Sequence, residues 1–165
     1  GLTSRPARRS PGLAALLERV GGGVVCIGCE PDGRNINWNC GSLHLEGLQR
    51  RVLETGAEVG VAFDGDADRA LFVSHSGQII DGDAVMLVTA LRLHAAGLLT
   101  EVIATVMSNL GLERALKGHG IGLVRTPVGD KYVLQVMERR HAPFGGGQYG
   151  HIIFRNFATT GYGLV

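Results

Sequence analysis

Gly60-Val-Ala-Phe-Asp64-Gly-Asp66-Ala-Asp68-Arg69 decides how the chain is read. The apolar run 59–63, bounded by glycine, predicts a buried strand. Three carboxylates follow at every second position: Asp64, Asp66 and Asp68. Only Gly65 and Ala67 separate them, so the backbone can bend tightly. Like charges held that close raise one another's pKa. A bound divalent cation removes that cost, and hard carboxylate oxygens suit Mg²⁺ or Ca²⁺, not zinc.

Other acidic loops fit less well. An EF-hand begins Asp-x-Asp-x-Asp but requires Gly at its sixth position and Glu at its twelfth. Arg69 and His75 stand there, so that reading is rejected. A phosphatase of the haloacid type follows a strand with Asp-x-Asp, but wants a hydroxyl residue where Asp68 and Arg69 stand. The bland alternative is a solvated acidic turn.

Composition narrows the class. With 45% hydrophobic and 19% charged residues, the 165-residue chain can bury a core. A net charge of +1 and 5% aromatic residues argue against nucleic acid as a partner. No apolar run reaches the ~18 residues of a membrane span. Residues 1–10 are polar and basic, lack the apolar centre of a signal peptide, and read as a disordered or frayed terminus. Three cysteines, an odd number, argue against a secreted disulfide framework. Cys26, Cys29, Cys40 and His44 have spacing compatible with a Cys3His zinc site. The alternative has Cys26 ending an apolar strand as a small hydrophobe.

Along the chain, residues 13–20 predict a short helix stopped by Gly21, Gly22 and Gly23, and 24–27 a strand. Asn35 and Asn37 fall in a polar, irregular stretch. Leu45, Leu48 and Val52 predict an amphipathic helix over 42–55, with Ser42 near its N-cap and Gly56 ending it. Strand, helix, strand in this order is a βαβ unit of a parallel sheet, whose ligands sit at the carboxyl ends of strands, where the aspartates lie. Residues 71–73 and 78–80 read as a hairpin. The helix over 83–93 is almost wholly apolar along 84–88, which predicts burial on most sides. A strand at 102–106, a helix at 109–117, a strand at 121–126, a turn at 127–130 and a helix at 131–140 repeat the α/β layout. Residues 144–151 read as a flexible glycine loop before a strand at 152–154.

The segment from Gly60 to Arg69 closely resembles the metal loop of the α-D-phosphohexomutases. Other segments agree in order: Asn35-Ile-Asn37, Cys40-Gly-Ser42-x-His44, Asp81-Gly-Asp83, Thr105-Val-Met-Ser-Asn109-Leu-Gly-Leu, Val128-Gly-Asp130-Lys131-Tyr132, Gly150-His151-Ile-Ile-Phe154 and Thr159-Thr160-Gly161. The resemblance implies two small three-layer α/β/α units with mixed, mainly parallel sheets. They would be the family's second domain (residues 11–78, partial) and third domain (residues 79–165, truncated). It implies an isomerase that moves a phosphoryl group between the 1- and 6-positions of a hexose phosphate. A phosphoserine and a bisphosphorylated sugar are its intermediates, and the branch resembled here works on glucosamine phosphates. By position, Asp64, Asp66 and Asp68 match the Mg²⁺ ligands, and Arg69 the arginine that follows them. Asp130 and Lys131 match a loop facing the substrate, with Lys131 where the family often has Arg. The sugar loop Gly-Glu-x-Ser-Gly-His reads Gly146-Gly147-Gln148-Tyr149-Gly150-His151 here, so Gly147 and Tyr149 replace two hydroxyl-gripping residues. Gln148 and His151 remain as candidate substrate contacts. Tyr162 stands where the family usually has Asp.

No segment resembles the family's phosphoserine loop or its fourth domain's phosphate loop. The expectation is therefore a fragment or degraded copy, cytoplasmic and inactive alone. Its partners would be a hexosamine phosphate and the missing domains, with no nucleic acid and no membrane. The competing expectations are a non-catalytic metal- or ligand-binding module on the same fold, and the zinc-stabilised module.

Overall fold

The computed structural model describes residues 2–4, 18–19, 23–27, 42, 44–64 and 67–155. The chain forms two compact units, Gly1–Ile80 and Asp81–Gly163. Among the described residues, no helix is long and apolar enough to cross a membrane. Of the helix expected over 13–20, Glu18 and Arg19 are described and helical. Asn35, Asn37, Cys29, Cys40, Thr159, Thr160 and Tyr162 lie outside the described residues.

The first unit is built on β1 (Leu2–Ser4), β2 (Val25–Ile27), α1 (Glu46–Thr55), β3 (Val59–Phe63), β4 (Ala70–Ser74) and β5 (Ile79–Ile80). Its sheet runs β2-β1-β3-β4-β5. Leu2–Ser4 corrects the expectation of a frayed end: it pairs in parallel with β2 on one side and β3 on the other. Main-chain hydrogen bonding places it there, which the polar, basic composition of the terminus gave no means to read. β2 and β3 are consequently parallel without being neighbours. β4 pairs antiparallel with β3, and across a short turn with β5. Among the described residues of this unit, two pairings are parallel and two antiparallel.

The alternation of β3 divides the apolar residues between its two faces. Ala62 joins Leu45, Leu48 and Val52 under α1, while Val61 and Phe63 join Ala67, Ala70 and Phe72 on the other side. α1 starts at Glu46 and not at Ser42. Leu45 is its N-cap and supplies no side-chain hydrogen bond. The apolar spacing fixed the face of this helix but not its first turn.

The second unit contains α2 (Gly82–Ala95), β6 (Glu101–Thr105), α3 (Leu110–Gly118), β7 (Gly122–Thr126), α4 (Asp130–Arg140), β8 (Phe144–Gly146) and β9 (Ile152–Phe154). Its sheet runs β7-β6-β8-β9, with β7 and β8 parallel to β6 and β9 antiparallel to β8. Val102 and Ala104 of β6 pack with Met86 and Ala90 of α2 and Leu112 and Leu116 of α3. Ile103 points the other way, to Val133 and Met137 of α4. Helices thus cover both faces of this sheet, giving three layers.

Two expectations change here. α2 buries only one side: Met86 and Ala90 are fully enclosed, while Val88 is 63% exposed. The glycine stretch expected to be a flexible loop begins as β8, whose three residues are all buried. Phe144 packs against Phe154 with ring centroids 4.9 Å apart and planes tilted by 49°.

Capping is legible in α3. Asn109 Oδ1 accepts the Leu112 N–H at 2.9 Å, satisfying an amide that has no intrahelical partner. Asn109→Ala is expected to destabilise the second unit by about 1 kcal/mol, read as a lower melting temperature.

Candidate functional site

β3 delivers Asp64 to its carboxyl end, where the residue is only 7% exposed. Backbone bonds close the loop: the Asp64 N–H donates to Arg69 O at 3.3 Å, and the Ala67 N–H to Asp64 O at 3.1 Å. Ala67 takes the left-handed conformation, φ 58°, which costs a residue with a Cβ about 1–2 kcal/mol. The strain sits inside the acidic loop.

Arg69 Nε donates to Asp64 Oδ2 at 2.7 Å and lies 3.7 Å from Asp68 Oδ1. Two of the three predicted carboxylates therefore share one cation, and the third, Asp66, lies outside the described residues. Burial pushes the Asp64 carboxyl up. Hydrogen bonding with Asp68 and the charge and hydrogen bonds of Arg69 outweigh it, and hold the group below 3.8. For Asp64 this is opposite in direction to the repulsion expected from sequence, because Arg69 brings a counter-charge to the loop. Two carboxylate oxygens of this loop thus approach one positive charge, and hard oxygens of that kind are the donors Mg²⁺ takes.

The other predicted residues lie in the second unit. β6, β7 and β8 are mutually parallel, so the segments after Thr105, Thr126 and Gly146 emerge at one end of the sheet. Asp130 opens α4, and His151 follows the glycine loop. They meet with Nδ1 of the imidazole 3.5 Å from Asp130 Oδ2, His151 being 13% and Asp130 60% exposed at the side chain. Lys131 is exposed, with Nζ 4.8 Å from the Tyr132 ring centroid. Gln148 does not stand free: its Nε2 reaches Asp81 Oδ2 at 3.3 Å. Arg125 braces the segment after β6, donating to Ser108 O and Glu113 Oε2, both at 2.8 Å.

Three residues at this end had no role in the sequence reading. Asp81, Asp83 and Asn109 line a cavity of about 220 Å³, and Asp83, 3% exposed, accepts the Asn109 N–H at 2.7 Å. Their signals were the Asp81-Gly-Asp83 motif and the Asn109 of the Thr105–Leu112 segment. The zinc alternative loses a ligand, because Cys26 is disulfide-bonded and exposed. Cys26 does lie in a strand, β2, as the other expectation had it, but as an exposed half of a disulfide and not as a small hydrophobe.

Residues 81–165, more than half of the chain, match the family model described as phosphoglucomutase/phosphomannomutase, alpha/beta/alpha domain III. The chain belongs to the phosphoglucomutase/phosphomannomutase family. Among curated relatives, it is 60% identical over 152 residues to the phosphoglucosamine mutase of Solibacter usitatus, covering 91% of this chain and 34% of that protein. It is 52% identical over 153 residues to that of Rhodococcus opacus, covering 92% of this chain and 34% of that protein. The chain thus spans about a third of the length of these relatives. A phosphoglucomutase/phosphomannomutase family protein from Burkholderia thailandensis superposes with a TM-score of 0.89 at 25% identity, covering 99% of this chain and 37% of that one. Aspergillus fumigatus N-acetylphosphoglucosamine mutase, solved with GlcNAc-6P and magnesium, shares the fold with a TM-score of 0.68 at 24% identity, over 93% of this chain and 36% of its own.

Proposed function

We propose that this chain forms part of a phosphoglucosamine mutase, an isomerase interconverting glucosamine 6-phosphate and glucosamine 1-phosphate through a phosphoserine and a bisphosphorylated sugar. One observation carries the reading: Asp64 and Asp68 converge on a single positive charge at the carboxyl end of β3. It does so in a chain 60% identical to an enzyme of that name.

Asp64, Asp66 and Asp68 would hold Mg²⁺, which when bound neutralises phosphoryl oxygens as charge builds on them during transfer. Arg69, 44% exposed at its side chain, presents a guanidinium of the planar kind that pairs with phosphate. His151, beside Asp130, would sit where a sugar hydroxyl is read, and Lys131 would supply positive charge nearby in sequence. The reading places the protein in the cytoplasm, supplying amino-sugar phosphate for cell-wall precursors.

A non-catalytic module on the same fold is the second reading, favoured by Gly147 and Tyr149 in the sugar loop. The two separate in a titration with glucosamine 6-phosphate at saturating Mg²⁺. The mutase reading expects binding, strengthened in the double variant Gly147→Glu and Tyr149→Ser. A Cβ at position 147 would meet only Thr105 Cγ2 and Oγ1, at 3.4 and 3.5 Å, and Tyr149 is exposed, so the loop accepts both changes. Two restored hydrogen bonds at about 1 kcal/mol each predict roughly a tenfold or greater gain in affinity. Mg²⁺ binding without sugar-phosphate binding in either chain selects the non-catalytic module.

A further inference from the structure

The loop 147–151 is closed on itself. The Gly147 N–H donates to His151 O and the Gly150 N–H to Gly147 O, both at 3.0 Å. A loop so braced moves as one piece, and its attachments decide where His151 stands. One attachment is His151 to Asp130. Another is a clamp at the start of α2, distant in sequence. The Gly82 N–H donates to Gln148 O at 2.8 Å, and Gln148 Nε2 donates to Asp81 Oδ2 at 3.3 Å. Asp81 is held in turn, because its Oδ1 caps α2 by accepting the Ala84 N–H at 3.0 Å. A Cβ at position 82 would collide with Gly147 O and lie 2.8 Å from Gln148 O and Gly150 N. Only glycine lets helix and loop approach this closely.

We propose that Asp81 and Gly82 are positioning residues for the loop 147–151, and that Gln148 serves the ligand through this clamp and not by touching it. One side-chain amide hydrogen and the backbone carbonyl of Gln148 are both committed to the start of α2, which fixes the residue against that helix. The loop's ligand-facing work then falls to His151. The proposal rests on the reading that this loop holds a sugar phosphate.

The test uses the full 165-residue chain with Asp81→Ser, Gln148→Ala and the double variant. Serine keeps a hydroxyl cap for α2 but is too short to reach Gln148, so capping and clamping separate. Without ligand, amide hydrogen exchange at Gly82, Gly147 and Gly150 is expected to rise about tenfold in either single variant, the size of a lost charge-assisted bond. Ile103 and Ala104 amides should keep their protection. Unchanged exchange at the three glycines overturns the clamp. If Asp81→Ser does not fold, Gln148→Ala removes the same bond from its other side. In calorimetry with glucosamine 6-phosphate, each single variant should bind about tenfold more weakly and the double no more weakly than either. Losses that add up put Gln148 on the ligand itself and overturn the proposal. A parent chain with no measurable affinity for the sugar phosphate overturns the substrate reading instead, and the exchange result alone then decides the clamp.

Discussion

Gly145→Val is expected to destabilise the second unit by at least about 3 kcal/mol, the upper range for forcing methyl groups into a packed core. Gly145 is the middle residue of β8, between β6 and β9. A Cβ there would sit 2.7 Å from Ile103 O, 2.9 Å from Met137 Sδ and 3.1 Å from Ile103 Cβ. The methionine could give way, but the carbonyl belongs to the neighbouring strand and cannot yield without breaking the ladder. Valine adds two methyl groups beyond that Cβ. For a unit of this size, about 3 kcal/mol lowers the melting temperature by roughly 12 °C or more. A thermal scan followed by far-UV circular dichroism reads the effect. Gly118→Ala is the control with the opposite sign. It lies in the last turn of α3 with nothing within 4 Å of its Cβ, so alanine's better helix propensity should add up to about 1 kcal/mol.

The same glycine explains why β8 was not legible as a strand. Strand signals come from β-branched and aromatic side chains in alternation, and Phe144-Gly145-Gly146 offers one such residue and two that normally mark turns. What makes the segment a strand is the absence of side chains, which admits the backbones of β6 and β9 and the end of α4. That information resides in the neighbours. β3, α3 and α4 carried their own evidence: an apolar run ending in acid, Asn109 ahead of Leu112 and Leu116, and Val133 with Met137 one turn apart. α2 shows an intermediate case. Uniform hydropathy over 84–88 announced a helix but not its buried face, and packing against β6 and α3 chose Met86 over Val88.

The site divides along the same line. Asp64, Asp68 and Arg69 are neighbours in sequence and in space, so their convergence could be read from spacing. The hold of Asp81 and Gly82 on Gln148 spans 67 residues and runs partly through backbone atoms. No residue type betrays a main-chain donor. The Asp81-Gly-Asp83 motif was visible, but its task was not.

Asp64→Asn and Arg69→Gln are expected to move Mg²⁺ affinity in opposite directions. Asparagine keeps the shape of Asp64 and an oxygen for the Arg69 N–H groups, so the loop should persist while one anionic ligand is lost. Removing even an outer partner of a metal ligand costs roughly 10–100-fold in affinity, and a direct ligand should cost at least the upper figure. Arg69 acts the other way. Its guanidinium lies against Asp64 Oδ2 at 2.7 Å and near Asp68 Oδ1 at 3.7 Å, so it competes for the charge a metal would use. With its side chain 44% exposed, the arginine is partly solvated, and the pair is worth no more than about 1 kcal/mol. Arg69→Gln should therefore tighten Mg²⁺ binding by roughly fivefold at most. Calorimetric titration with MgCl₂ at fixed ionic strength measures both variants. If Arg69→Gln binds Mg²⁺ more weakly than the parent, the arginine is bracing the carboxylates for the ion and is no competitor. If Asp64→Asn leaves affinity unchanged, the buried carboxylate is a partner for Arg69 alone, and the metal assignment at the end of β3 fails.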